Sequence, residues 1–490
     1  MSAVSIHAAT IRGAQAVPVQ IEVDVHGGTF GIELIGLPDA AVLEARSRVR
    51  VALERSGYEI PRGRVTINLA PAEVRKSGTG FDLPMAVGIL LASQQIPSAG
   101  FEDYLLAGEL SLDGGVNAVR GGIAYAMAAL HQGLGVMGNL MGGEAHACGR
   151  ACLDIGNLRE LRRGLQALEV LCPEDDDAPA RLDALDYADV VDQEVAKRAM
   201  VIAAAGRHGL LMVGPPGSGK TMLARRLPSI LPPLSEEERL ECMLVHSVAG
   251  EPLEAVAAGI RPFRAPHHSI SRAGMVGGGS PILPGEVSLA NHGVLFLDEL
   301  AEFQSHTLQA LRQPLEDGSV RLVRAEGGYE FPAHFQLVGA SNPCPCGYLG
   351  DPGHECSCSP AAVERYQSRV GGPLMDRIDL SIVVARPDAH KVVEGVRGLD
   401  SATMREQVMA ARAFAAWRAR RRGKADPRAI AADFSEEGKA LLECVGTNLA
   451  LGGRGIARVA RVARTIADLD EQETVREQDV AEAAAFRPAR

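Results

Sequence analysis

Leu210-Leu211-Met212-Val213-Gly214-Pro215-Pro216-Gly217-Ser218-Gly219-Lys220-Thr221 decides how the chain is read. An apolar run short enough for a buried strand leads into G-x-x-x-x-G-K-T, and Met222-Leu223-Ala224-Arg225-Arg226-Leu227 then starts a helix. The glycines let the backbone curl so that its N–H groups face a phosphate chain, at a helix N-terminus whose partial positive charge favours an anion. The whole loop, Gly214, Pro215, Pro216, Gly217, Ser218, Gly219, Lys220 and Thr221, is assigned to ATP, with Lys220 on the β- and γ-phosphates and the Thr221 hydroxyl on Mg²⁺.

Downstream, Gly293-Val294-Leu295-Phe296-Leu297-Asp298-Glu299 reads as a buried parallel strand, whose C-terminal end in a doubly wound sheet lies beside the phosphate loop. Asp298 is assigned to Mg²⁺ through water, and Glu299 to orienting and polarising the water that attacks the γ-phosphate. Gln336-Leu337-Val338-Gly339-Ala340-Ser341-Asn342 is another buried strand, with Asn342 placed to position the same water or simply to open a turn. Between these strands, Ser319 to Ala325 and Tyr329 to Phe335 flank a Glu326-Gly327-Gly328 turn and read as a β-hairpin. Alternation brings Arg324 close to its tip with Arg321 lower down, suited to a DNA phosphate backbone; an ordinary exposed hairpin has the same signature.

Arg261-Pro262-Phe263-Arg264-Ala265-Pro266-His267-His268-Ser269-Ile270-Ser271, running on to Gly277-Gly278-Gly279, is an insertion rich in Gly, Pro and basic residues. Its adjacent histidines read as loop residues or phosphate contacts before they read as metal ligands. Cys344, Cys346, Cys356 and Cys358 form C-x-C-x₉-C-x-C, a thiolate set able to close a tetrahedral Zn²⁺ site, with His354 as a substitute ligand and reduced free thiols as the alternative. Arg377, in Gly372-Pro373-Leu374-Met375-Asp376-Arg377-Ile378-Asp379-Leu380, is a candidate arginine finger reaching the γ-phosphate held by a neighbouring subunit. Glu406 to Arg422 is amphipathic and ends in Arg420-Arg421-Arg422-Gly423-Lys424, which suits a helix C-terminus or DNA. Arg454, Arg458, Arg461 and Arg464 line one face of the next helix. A solvated face is the plain reading; as a lid helix that lends an arginine to the nucleotide phosphates, it puts Arg454 first and Arg458 second.

Ahead of the ATPase, glycine-rich turns separate strand-like runs from helical ones, an α+β pattern. Val19, Ile21, Val23 and Val25 alternate onto one face of a strand, and Ala40 to Ser56 is an amphipathic helix. Arg75 to Ala86 followed by Leu106 to Gly114 resembles the proteolytic, S5-like domain of Lon-type proteases. That chemistry needs a Ser–Lys dyad, but the resemblance puts Gly80 or Phe81 at the nucleophile position and about Ile123 at the lysine. Ser77 and Lys76 are sequence neighbours and point to opposite faces of an extended backbone, so the domain reads as non-proteolytic. Glu160 to Leu171 reads as a helix, and the acidic, proline-bounded run from Cys172 to Pro179 as a linker.

The 490 residues suggest about three domains. The expected division is an N-terminal Lon-like domain at 1–140, a linker at 141–184, an ATPase core with a doubly wound parallel sheet at 185–395, and a helical lid at 396–490. No window has the ~20 apolar residues of a membrane span, and the first residues lack a signal-peptide pattern, so the expected location is the cytoplasm. Nine cysteines, four of them bunched, suggest a metal site in a reducing compartment. A net charge of −11 argues against a protein that coats nucleic acid over its whole surface, while leaving room for a basic channel.

GPPGSGKTMLARRLPSILPPL, RPFRAPHHSIS, ILPGEVSLANHGVLFLDEL, NPCPCG, GPLMDRIDL and RVARTIADLD together resemble the ComM/YifB family of magnesium-chelatase-like AAA+ ATPases, in order and over nearly the whole chain. Met137 to Gly143 departs from the family pattern. The resemblance implies a homo-hexameric ring that translocates on single-stranded and branched DNA as an ATP-dependent helicase. Such a ring drives branch migration in recombination and natural transformation, with recombination proteins as candidate partners. A chelatase motor and a protein-remodelling ATPase are the alternatives.

Overall fold

The structure, a computed structural model, describes residues 3–29, 31–139, 152–171, 185–324, 327–370, 374–395, 397–422 and 430–487. The acidic run 172–179, residues 371–373 of the arginine-finger segment and residues 423–424 of the basic cluster lie outside the described residues.

Strands β1 (Val4–Arg12) and β2 (Gln15–His26) form an antiparallel pair whose tight turn sets Arg12 opposite Gln15. Val19, Ile21 and Val23 are buried and Gln20 and Glu22 exposed, as a half-buried strand requires; Val25 packs at the margin of the same core. β3 (Gly31–Ile35) lies parallel to β4 (Arg64–Ala70), which pairs with β2. On the other side of β1 comes β5 (Tyr104–Leu106); after a ribbon of β6 (Glu109–Leu110) and β7 (Val116–Asn117), the sheet continues with β8 (Gly135–Gly138), β9 (Cys152–Asp154) and β10 (Glu169–Leu171). The order is β10-β9-β8-β5-β1-β2-β4-β3. Helix Ala40–Arg55 starts where the Asp39 side chain accepts the Val42 N–H, and helices Asp82–Ala92 and Gly122–His131 complete the layer.

Residues 152–171, which the sequence reading leaves in the linker, therefore belong to this sheet, because Leu153 pairs with Met137 of β8. The helix expected from Glu160 to Leu171 is also corrected. Gly164, at φ +77°, separates 3₁₀ turns at Leu158–Arg163 and Leu165–Ala167, and the chain then extends into β10.

The second sheet is wholly parallel. It contains β11 (Leu210–Val213), β12 (Phe263–Arg264), β13 (Val294–Leu297), β16 (Gln336–Ser341) and β17 (Leu380–Val383), in the order β12-β13-β16-β11-β17. All residues of β13 and β16 are buried, which is why these strands read as continuous apolar runs. β14 (Ser319–Arg324) and β15 (Gly327–Pro332) form a separate antiparallel hairpin on the connection from β13 to β16.

Helices Ser401–Arg422, Glu436–Asn448, Gly453–Leu469 and Glu477–Ala485 form the C-terminal layer. Met404, Val408, Val459, Val462 and Ile466 share one core with Met200, Leu223, Leu227 and Val338. At about 1.5–3 kcal/mol for each large aliphatic side chain, this shared core holds the C-terminal helices to the sheet as one packed unit.

Candidate active site

The parallel register decides what meets at the C-terminal edge of the second sheet. β16 lies between β11 and β13, so the residues that follow these three strands, Asn342, Gly214 and Asp298, emerge side by side. Gly217 and Gly219 adopt φ +78° and +89°, values that favour glycine, and turn the loop toward the start of helix Lys220–Ile230. Gly214 serves packing: a Cβ there would lie 2.1 Å from the Val384 carbonyl oxygen.

Lys220 Nζ donates to the carbonyls of Gly214 at 2.7 Å and Pro215 at 2.9 Å, and lies 3.4 Å from Asn342 Oδ1. Burial lowers its pKa, partly opposed by the Asp298 charge. Thr221 Oγ1 donates to Asp298 Oδ2 at 2.7 Å, so a hydroxyl and a carboxylate converge at a helix N-terminus, an all-oxygen donor set that suits a hard cation carried by a phosphate chain. The assignments to Lys220, Thr221, Asp298 and Asn342 thus fall in one place.

Glu299 begins the turn after β13 with φ +50° and an exposed carboxylate. His268 Nδ1 lies 3.3 Å from Glu299 Oε2, and the His268 ring lies tilted against His267, their centres 4.0 Å apart. Sequence reasoning missed this contact, since a histidine in a Gly/Pro-rich insertion gives no sign of which acid it will meet. Two arginines of the same insertion are structural: Arg261 is buried on Pro232, Pro233, His292 and Glu238, and Arg264 pairs with Glu286 and Glu251.

The cysteine loop sits against the phosphate loop. Cys344, Cys346 and Cys356 have Sγ separations of 3.3, 3.6 and 3.7 Å, and with Cys358 all four ligand atoms lie within 4.8 Å. Tetrahedral zinc at ~2.3 Å from each sulfur needs sulfurs about 3.8 Å apart, so the set fits that ion. The Tyr348 N–H, helped by neighbouring thiols, pulls the Cys346 thiol down to about 6. His354 is not the substitute ligand: it stacks on Tyr348 and contacts Asp351 and Arg386. Gly347, at φ +85°, packs so tightly that a Cβ would lie 2.8 Å from Pro216 Cδ.

Arg321 and Arg324 lie on β14, both exposed, with Arg321 Nε 3.3 Å from Glu330 Oε2. The second strand starts earlier than the Gly-Gly pair suggests, since Arg324 pairs with Gly327. Residues 325–326 lie outside the described residues.

Arg377 and Arg454 come together with each other, not with this chain's phosphate loop. Asp379 N–H donates to the Gly209 carbonyl ahead of β11, whereas the phosphate loop follows β11, roughly 16 Å away at 3.3 Å per residue. Arg377 pairs with Glu316, and burial together with the charges of Arg312, Arg454 and Arg458 lowers its pKa. Arg458 is buried and donates to the Met375 and Ile378 carbonyls, while Arg454 is exposed one turn before it. The basic stripe is therefore divided: Arg458 is buried and Arg464 nearly so, paired with Asp433 and Asp468, while Arg454 and Arg461 stay exposed, Arg461 pairing with Asp379.

In the first domain the expected protease positions form no Ser–Lys pair. Phe81 and Ile123 are buried apolar side chains, Lys76 Nζ binds the Pro71 carbonyl, and the Ser77 hydroxyl faces Thr10.

The family model described as Magnesium chelatase, subunit ChlI, matches residues 186–392. Those described as Subunit ChlI of Mg-chelatase and Magnesium chelatase, subunit ChlI C-terminal, match residues 21–137 and 398–487. YifB of Escherichia coli (strain K12), named an uncharacterized protein, is 40% identical over 503 residues, covering 99% of this chain and 97% of its own. The competence protein ComM of Haemophilus influenzae is 38% identical, covering 99% of this chain and 98% of its own. The chain belongs to the ComM/YifB family of magnesium-chelatase-like AAA+ ATPases. The magnesium-chelatase 38 kDa subunit of Cereibacter sphaeroides is more distant from this ComM/YifB chain, 27% identical over 32% of it and 52% of the subunit. Among the described residues no helix is long and apolar enough to cross a membrane.

Proposed function

We propose that the protein is an ATP-dependent DNA translocase and helicase that works in the cytoplasm as a hexameric ring and promotes branch migration in recombination and natural transformation. The observation that carries this reading is the hairpin β14–β15. It lies on the connection from the strand that runs into Asp298 and Glu299 to the strand leading into Asn342, and it exposes Arg321 and Arg324. A change at the γ-phosphate thereby has a short covalent route to a basic tip suited to a phosphate backbone. The full-length similarity to a protein named for competence agrees with this reading.

Lys220 holds the β- and γ-phosphates, Glu299 polarises the attacking water and Asn342 orients it. Thr221 and Asp298 would hold Mg²⁺, which would supply charge neutralisation at the phosphates. Arg377 and Arg454 act on the nucleotide of a neighbouring subunit, since both lie at the edge of the sheet away from their own loop. The cysteine loop binds Zn²⁺. The N-terminal domain is a non-proteolytic Lon relative, and recombination proteins are candidate partners. A chelatase motor is the second reading, favoured by the partial match to the chelatase subunit. Arg324→Ala decides between them: as a DNA motor the variant loses strand displacement and DNA-stimulated turnover while hydrolysis without DNA persists, and as a chelatase motor it behaves as wild type.

A further inference from the structure

The turn between β1 and β2 reaches out of the N-terminal domain and touches the hairpin. Ala14 N–H donates to the Glu330 carbonyl at 3.4 Å, Arg12 Nε donates to the Gly328 carbonyl at 3.2 Å, and the Arg12 guanidinium lies 5.8 Å from the centre of the Tyr329 ring. Gly13 makes the approach possible: at φ +68°, a Cβ there would stand 2.5 Å from the Glu330 oxygen. Below the turn, Ala14 and Ala124 of the first domain share one apolar cluster with Phe331 of β15 and with Val245, Val248 and Leu289 of the ATPase. A second anchor fixes the domain to the same ATPase helix, Glu236–Ala249, where Gly121 N–H donates to the Ser247 carbonyl at 3.0 Å and Ile123 N–H to its hydroxyl at 3.3 Å.

Glu330 links the turn to the hairpin arginine. Its carbonyl takes the Ala14 N–H, and its carboxylate meets Arg321 and the Ser319 hydroxyl across the strand pair. A two-stranded ribbon alone is marginally stable in water, so what fixes its direction is the surface that backs it. Here that surface belongs partly to the N-terminal domain.

We propose that Arg12, Gly13 and Ala14 are positioning residues: the N-terminal domain is a strut that aims the hairpin, and the two move together as one lever on DNA. The strut itself is independent of what the hairpin grips; the lever rests on the DNA-motor reading. Arg12→Ala removes the clamp, Gly13→Ala wedges the turn away without changing charge, and Arg12→Gln keeps a donor for the Gly328 carbonyl without the cation.

The test has two arms on the full-length chain. In amide hydrogen exchange without DNA, Arg12→Ala and Gly13→Ala speed exchange across residues 319–332 by about tenfold, with the β11–β13–β16 core unchanged and Arg12→Gln close to wild type. Unchanged hairpin exchange in both variants overturns the strut. In DNA-stimulated hydrolysis, both variants lose maximal turnover several-fold while half-saturating DNA moves by less than about twofold, and Arg12→Gln restores it. If only Arg12→Ala has an effect, through half-saturating DNA, and Arg12→Gln is no better, Arg12 is a direct phosphate contact and the lever is overturned. Wild type that ignores DNA while the exchange result holds sinks the motor reading and the lever together, and supports the strut.

Discussion

Glu299 has its backbone in the left-handed region and its carboxylate against His268, a ring delivered by an insertion more than twenty residues earlier. Strain of this kind costs on the order of 1–3 kcal/mol and persists where surrounding contacts enforce it. Here Glu302 N–H donates to the Glu299 carbonyl and Glu299 N–H to Asp298 Oδ1. Glu299→Gln should lower ATP turnover by about 10²–10⁴-fold, the usual contribution of a positioned base, with binding of a fluorescent ATP analogue retained. Loss of binding in step with turnover would show that the carboxylate serves the loop and not the water. At this scale the sequence was most legible where chemistry demands a fixed spacing, as at Lys220, Thr221 and Asp298. It was least legible where a partner arrives from elsewhere in the fold. Arg458 reads as part of a solvated stripe until Met375 and Ile378 supply carbonyls to it.

The elements show the same division. β11, β13 and β16 are buried on both faces, so their apolar runs identified them, and the residue after each run marked the site. The hairpin was visible by alternation, but its register was not, because the Gly-Gly pair that looks like a turn is already strand. Residues 152–171 escaped because short strands at a sheet edge lack a long enough pattern to register. The cysteine loop was legible as a thiolate set, but its seat on Pro216 was not. That seat makes metal removal a test of the element: zinc content of wild type should approach one per chain, and Cys346→Ser should lose it together with roughly 5 °C of melting temperature. Wild type purified without metal and with four titratable thiols would contradict the assignment.

For the whole molecule, the decisive feature is the placing of charge at opposite ends of one sheet. The phosphate loop opens at the C-terminal edge, while Arg377 and Arg454 gather beyond the N-terminal edge, too far to serve the same nucleotide. A ring in which each subunit presents that edge to its neighbour would unite the two halves. Arg377→Ala alone should then cut turnover about a thousandfold, within the range seen for arginine fingers. Mixing it with Glu299→Gln should recover part of the activity, because some interfaces combine an intact acid with an intact arginine. No recovery in preformed mixed assemblies would place Arg377 in a structural role, through Glu316. This arrangement depends on where helix Gly453–Leu469 packs, which no local pattern encodes.

In a DNA motor, hydrolysis is coupled to DNA. The most direct measurement is the ATP turnover of the purified full-length protein with and without single-stranded and branched DNA, beside the Glu299→Gln variant. Turnover should rise several-fold with DNA and vanish in the variant. Turnover that is fully dependent on Glu299 yet indifferent to every DNA tested would contradict that coupling.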